Sequence, residues 1–277
     1  MKKSLKTLAI GLAVVPCALA FAACGPATPP PDDFGLVDIS GNYATESSYS
    51  EVVSVLEEKE YTTDYRSFRL VMDMDMSFNM GEMSAEVSRI RDVIVKLDSD
   101  DNINAKSTST FKAEFAGVTD AENLDESQES YIKDNYLYSD LGDGWEQIYQ
   151  TTIEEVAGQK LDIETMFADF DEDQKSQIEV YVDENDATGT YRVKMQFAAE
   201  NLAVFMEGVT EQIMEYGYEV TEWGNATIYY IFENNQFVGA ELEMGMTVDF
   251  LSVIEMDATI KIEFAKYDGE IDFPAGI

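Results

Sequence analysis

Apolar and polar residues alternate with period two over unusually long stretches of this chain. Phe68, Leu70, Met72, Met74, Met76, Phe78 and Met80 occupy every second position, with Arg69, Asp73, Asp75, Ser77 and Asn79 between them. The pattern returns as Val238, Ala240, Leu242, Met244, Met246, Val248 and Phe250, with Glu241, Glu243, Thr247 and Asp249 opposite. It returns again as Met256, Ala258, Ile260, Ile262 and Phe264. Successive side chains of a strand point to opposite faces, so this alternation predicts an antiparallel sheet with one buried and one solvated face. Turn signals separate neighbouring strands. Asp134-Asn135 lies between Tyr131-Ile132 and Tyr136-Leu137-Tyr138, and Asn234-Asn235 lies between Tyr229–Phe232 and the strand from Gln236. Asp183 to Gly189 divides Ile178–Val182 from Tyr191–Phe197, and Asp140 to Gly144 precedes Trp145.

Period 3.6 appears in three places. Ser48-Tyr49-Ser50-Glu51 is a capping box that opens a helix carrying Tyr49, Val52, Val53 and Leu56 on one face. A second helical region near Ile153–Phe170 is interrupted by Gly158, and a third carries Leu202, Phe205, Met206, Val209, Ile213 and Tyr216 before Gly217 ends it. The predicted fold is therefore α+β, a single curved antiparallel sheet, or incomplete barrel, wrapped around about three helices. About ten strands of about ten residues present roughly 1,500 Å² on one face, whereas about 40 helical residues cover roughly 600 Å². The excess implies a sheet bent strongly onto itself, or a concave face left for an apolar ligand.

All six prolines fall outside the strand-rich body: Pro16, Pro26, Pro29, Pro30, Pro31 and Pro274. A strand that uses every N–H cannot hold proline, and a proline cluster makes a semi-rigid spacer instead. Before that spacer, Lys2, Lys3 and Lys6 precede the apolar run Leu8–Ala20, which is short for a membrane span. Phe21-Ala22-Ala23-Cys24 follows, with small residues before a cysteine as in the bacterial lipobox, although Phe stands where that motif usually has Leu. The expected organisation is a signal peptide over 1–23, a lipidated Cys24 and Pro-rich tether over 24–46, and one domain over 47–277. Such a protein is anchored at the extracytoplasmic face of the cell membrane through Cys24.

Charge and composition narrow the partners. The chain has 18 Lys+Arg against 55 Asp+Glu, a formal net charge of −37. That field repels nucleic-acid phosphates, so nucleic acid is excluded as a partner. The two cysteines are Cys17, within the leader, and Cys24, which leaves no disulfide for the domain. There is no histidine, hence no Ser-His-Asp or Cys-His nucleophile and no HExxH zinc site. Asp169-Phe170-Asp171-Glu172-Asp173 begins like a calcium loop, but Gln174 replaces its glycine and Val180 its bidentate glutamate. The expectation is a monomer with no cofactor, no metal and no catalytic residue. Pairs of carboxylates suited to glycosidase chemistry cannot be told from surface charge here. Trp145 is expected to cap its hairpin, and Lys133, Arg192 and Lys194 to pair with acids across the solvated face.

A lipobox, a short tether, an amphipathic helix and long alternating strands together resemble the lipoprotein-carrier superfamily. Tyr131-Ile132-Lys133-Asp134-Asn135-Tyr136-Leu137-Tyr138, followed by Gly144-Trp145, is similar to a hairpin of uncharacterised Gram-positive lipoproteins of that fold. Its LolA-like and LppX/LprG-like members are incomplete barrels around helices that carry lipids or acylated proteins. The resemblance implies a hydrophobic or acylated ligand bound in the concavity without catalysis. The candidate lining is Met72, Met74, Met76, Leu202, Phe205, Val209, Met244 and Met246, since unbranched thioethers suit varied apolar surfaces. The alternative is a structural, interaction or sensor lipoprotein whose core is filled by its own side chains.

Overall fold

The computed structural model describes residues 39–58, 66–99, 102–117, 122–140, 144–152, 172–185, 187–205, 219–249 and 253–277. These residues form one twelve-stranded, wholly antiparallel sheet. In chain order the strands are β1 (Thr45–Ser47), β2 (Ser67–Met80), β3 (Met83–Leu97), β4 (Ile103–Ala116), β5 (Leu124–Lys133), β6 (Tyr136–Asp140) and β7 (Trp145–Gln150). They continue as β8 (Ile178–Asn185), β9 (Thr190–Phe197), β10 (Glu219–Glu233), β11 (Gln236–Asp249) and β12 (Val253–Lys266). Across the sheet the order is β1-β8-β9-β10-β11-β12-β2-β3-β4-β5-β6-β7. Among the described residues β1 and β7 are therefore the edge strands and the sheet does not close. The last strand joins the first long one, and that β12–β2 seam holds the two halves together.

Three helices are described: α1 (Tyr49–Glu58), α2 (Glu172–Lys175) and α3 (Ala199–Phe205). The capping box forms at α1. The Glu51 N–H donates to Ser48 Oγ at 3.2 Å, and the Ser48 N–H donates to the Glu51 carboxylate at 2.9 Å. The Ser48 N–H, with the Ser48 and Ser47 hydroxyls that also donate to it, holds the Glu51 carboxyl below its ordinary range. Tyr49, Val52 and Leu56 then turn into the core, as their spacing predicts. At α3 the first N–H, of Ala199, donates to Asn225 Oδ1 at 3.0 Å, and Asn225 stands at a register shift of β10 between Trp223 and Ala226. The expected helix near 153–170 and the rest of the third one lie outside the described residues.

The hairpins match their turn chemistry. Asp134 and Asn135 have φ of 51° and 69°, and Asn234 and Asn235 have 49° and 62°, the doubly left-handed turn that suits twisted strands. Gly81, with φ 73°, turns β2 into β3.

One continuous core lies on the inner face, under α1 and α3. Leu70, Met74, Met76, Met244, Met246, Ala258 and Ile260 are all buried in it, as is Leu202 of α3. Four phenylalanine rings cross the seam through this core. Phe232 lies 5.8 Å from Phe237, Phe237 lies 6.3 Å from Phe264, and Phe264 stacks on Phe68 at 5.0 Å.

Four expectations are corrected. Val238 was expected inward, but a register shift sets Ile231 opposite Gly239 and Phe232 opposite Phe237, so Phe237 takes the inward place. The outer face is not wholly solvated: Val71, Asp92, Ile231, Glu241 and Glu263 are buried there. Residues 39–46, counted with the tether, belong to the folded body, because β1 pairs with β8 and the Tyr43 ring lies 5.7 Å from that of Tyr229. Arg192 does pair with Asp183, at 3.3 Å, but Lys133 donates to the Ile277 carbonyl and lies over Phe273, and Lys194 lies over Tyr229. The C-terminal tail brings Phe273 to Lys133, and a lysine stem beside an aromatic ring has no need of a carboxylate. Trp145 opens β7 and meets Tyr131 edge-on at 5.0 Å.

Candidate functional site

The β2–β3 register carries the feature that the methionine pattern hides. Leu70 stands opposite Val93, Met72 opposite Arg91, Met74 opposite Arg89, and Met76 opposite Val87. Directly paired residues share a face, so Arg89 and Arg91 point to the same inner side as the methionines. Beyond them, β4 presents Ser109 opposite Arg91 and Ser107 opposite Val93, and β5 presents Ser130 opposite Ser107. The inner face thus changes character at β3. It is apolar from β9 to β2, then carries an island of two arginines and several serines.

Beside that island lies a cavity of about 150 Å³. Val93, Ala105, Ile132 and Leu137 form its apolar floor, Arg91, Ser107, Ser130 and Thr151 supply polar atoms, and Tyr149 stands at the rim with half of its surface exposed. A shift in the β6–β7 pairing between Tyr136 and Tyr138 brings Tyr149 to this side. Arg91 Nε donates to Ser107 Oγ at 3.4 Å, and Arg89 Nε donates to Ser109 Oγ at 3.2 Å.

Asn135 fixes the closed end. Its left-handed backbone lets its Oδ1 accept from the Ile103 N–H at 2.7 Å, while its Nδ2 donates to Asn102 Oδ1 at 2.9 Å. Its carbonyl accepts from the Thr151 N–H at 2.8 Å. One turn residue therefore ties the β3–β4 and β5–β6 connections to the chain leaving β7, and it holds Thr151 against the cavity.

The six candidate lining residues whose side chains are described stand elsewhere. Met74, Met76, Leu202, Met244 and Met246 are 1–6% exposed within the core, and Met72 packs against it half-buried. The side chain of Phe205 and the whole of Val209 lie outside the described residues. None of the six described ones lines this cavity. The signal missed in the sequence is the alternation Val87, Arg89, Arg91, Val93, Val95. Ile90 and Ile94 on the outer face of the same strand obscure it.

Titratable groups on the sheet are shifted by burial. The Tyr230 phenol is pushed up to about 12. The Glu241 carboxyl is raised, chiefly by burial, with Lys261 opposing from 3.8 Å. Asp73 is raised by burial and by its neighbour Asp75. Among the described residues no group of His, Cys, Asp or Glu is arranged to hold a metal ion. Of the calcium-like stretch, residues 172–175 make one helical turn in which Lys175 meets Glu172 at 2.9 Å. Among the described residues no helix is long and apolar enough to cross a membrane.

No family model matches the chain, and no curated protein matches it. Solved structures do resemble it. One is LprF from Mycobacterium bovis, at 12% identity over 82% of this chain and 98% of that one, with a TM-score of 0.33. A second is lipovitellin, in a structure described by its lipid–protein interactions, at 8% identity over 76% of this chain, 27% of that one and a TM-score of 0.37. A third is a putative outer membrane lipoprotein-sorting protein domain from Vibrio parahaemolyticus, at 7% identity over 81% of this chain, 94% of that one and a TM-score of 0.20. With every TM-score below 0.5, what this chain binds has to be argued from its own geometry.

Proposed function

We propose that this protein is a lipoprotein anchored through Cys24 at the extracytoplasmic face of the membrane, and that it binds a hydrophobic or acylated ligand on the inner face of its sheet without catalysis. The observation that carries this is the cavity on the inner face, with an apolar floor of Val93, Ala105, Ile132 and Leu137 beside the unclosed β7 edge. A sheet that stopped at its own core would have no such hollow under strands β3 to β6. Native mass spectrometry of the purified protein tests it, the expected result being a population carrying a co-purified ligand of lipid mass. A protein of bare mass that also fails to take up an apolar fluorescent probe would refute it.

One observation favours a second function, that of a scaffold or sensor with a self-filled core. Met74, Met76, Met244 and Met246 are buried at 1–6% exposure, and Leu202 of α3 lies in the same cluster. The two functions part at the cavity. Ala105→Trp fills a ligand site and abolishes probe uptake, whereas in a scaffold it changes only stability.

A further inference from the structure

We propose that Arg89 and Arg91 form an anion site on the inner face, and that the ligand it takes is an acidic amphiphile, one carrying a carboxylate or phosphate at the head of an apolar body. This rests on the binding function proposed above and names the chemical class of its ligand.

Arg89 is the first observation. It is half-buried on an inner-face rung between Met74 and Phe111, and its hydrogen bond goes to an uncharged serine hydroxyl. No carboxylate lies within salt-bridge distance of it among the described residues. In a chain with 55 acids and 18 bases that is unexpected. The outer-face arginines behave otherwise: Arg69 grips Asp92 through two bonds of 2.8 and 2.6 Å, and Arg192 holds Asp183. A guanidinium turned inward and matched only by a hydroxyl is costly unless an anion completes it, and its planar fork suits carboxylate and phosphate.

The cavity is the second observation. Arg91 is part of its wall, one strand pleat from Arg89, and the apolar floor begins at the next inward residue, Val93. A cavity of about 150 Å³ admits a body the size of benzene, enough for a carboxylate and the first few carbons of a chain. The rest of the ligand leaves past the half-exposed Tyr149.

Net charge selects between sources of the anion. At −37 the protein repels a small free anion from its surroundings. An amphiphile overcomes that repulsion because its apolar body contributes binding that a bare phosphate lacks.

The test uses the full chain and three probes: 11-(dansylamino)undecanoic acid, its methyl ester, and inorganic phosphate. The acid is expected to bind at least about tenfold more tightly than the ester, since a charge-assisted hydrogen bond is worth about that factor. Arg89→Gln with Arg91→Gln is expected to equalise the two probes by weakening the acid to the level of the ester. Arg89→Lys with Arg91→Lys keeps the charge and is expected to keep part of the preference. Circular dichroism and the denaturation midpoint establish that each variant folds. Equal binding of acid and ester by the parent would overturn the anion site and leave the apolar-ligand function standing. Phosphate binding with no uptake of either dansyl probe would keep the arginine site but assign it to a free anion, and so overturn the amphiphile. Failure of all three probes would overturn the site and the proposed function together.

Discussion

Phe237→Ala should be among the most damaging single substitutions in this protein. The ring is 1% exposed and occupies the centre of the phenylalanine row that joins β10, β11, β12 and β2. Truncating a buried phenylalanine costs about 3–5 kcal/mol through lost transfer energy and the cavity left behind. Phe237 also loses two ring neighbours, Phe232 and Phe264, at up to ~1.5 kcal/mol per pair, which places the expected loss at the upper end, near 5 kcal/mol. Whole domains are stable by only about 5–15 kcal/mol, so the variant should sit near the edge of folding at 25 °C. Urea titration followed by the fluorescence of Trp223, itself 6% exposed, and by circular dichroism measures the effect. With an m-value of about 3 kcal/mol/M the midpoint should fall by roughly 1.5 M. Phe115→Ala is the control: that ring is 38% exposed, and its loss should change stability by no more than about 0.5 kcal/mol. A Phe237→Ala midpoint within about 0.3 M of the parent, at unchanged m, would show that the register shift at Val238 does not bring Phe237 into the core.

Further expectations follow from the same geometry. Met74→Asp places an unpaired charge at a position 1% exposed and should abolish cooperative unfolding, while the neighbouring exposed Asp75→Ser should leave the midpoint unchanged; equal tolerance of both would refute the β2 facing. Burial raises the folded-state pKa of Asp73, so the folded chain holds its proton more tightly than the unfolded one, and stability falls as pH rises from the unfolded value near 3.8 through the folded one. Asp73→Asn should therefore raise the urea midpoint at pH 7 and change it little at pH 3, and a lowered midpoint at pH 7 would refute the desolvation. Ser48→Ala removes the acceptor for the Glu51 N–H and should cost about 1 kcal/mol, read from the same titration. Cys24→Ala should release the protein from the membrane fraction, because stable anchoring takes more than one acyl chain and each buried CH₂ contributes ~0.8 kcal/mol; a processed variant that stays bound would refute lipidation.

Period-two alternation was legible wherever a strand is apolar on one face and polar on the other. β2, β12 and β11 from Ala240 onward meet that condition, and the Asp134-Asn135 and Asn234-Asn235 turns announce themselves by residue type. β3 does not meet it. Ile90 and Ile94 face outward and Arg89 and Arg91 inward, so hydrophobicity alone gives no facing, and only pairing with β2 supplies one. The same holds for Phe237, whose placement follows from a local insertion in the ladder that no residue type signals. The site was missed for a physical reason: an inner-face polar island looks, in sequence, like a strand turned the other way round. The β12–β2 pairing spans most of the chain, and nothing local in either strand specifies it.

That seam has a consequence for how the chain is made. β2 pairs with β3 through a tight turn as soon as both exist, but its other edge, twelve registered positions long, waits for β12. During synthesis the methionine-rich strand at the centre of the finished sheet is therefore an open edge until β12 has emerged. Open apolar edges recruit other chains, so the growing protein passes through a sticky stage that the mature one never shows. Loss of the final fourteen-residue strand would not trim the molecule at its rim. It would leave two half-sheets, each with a bare edge at what had been the middle.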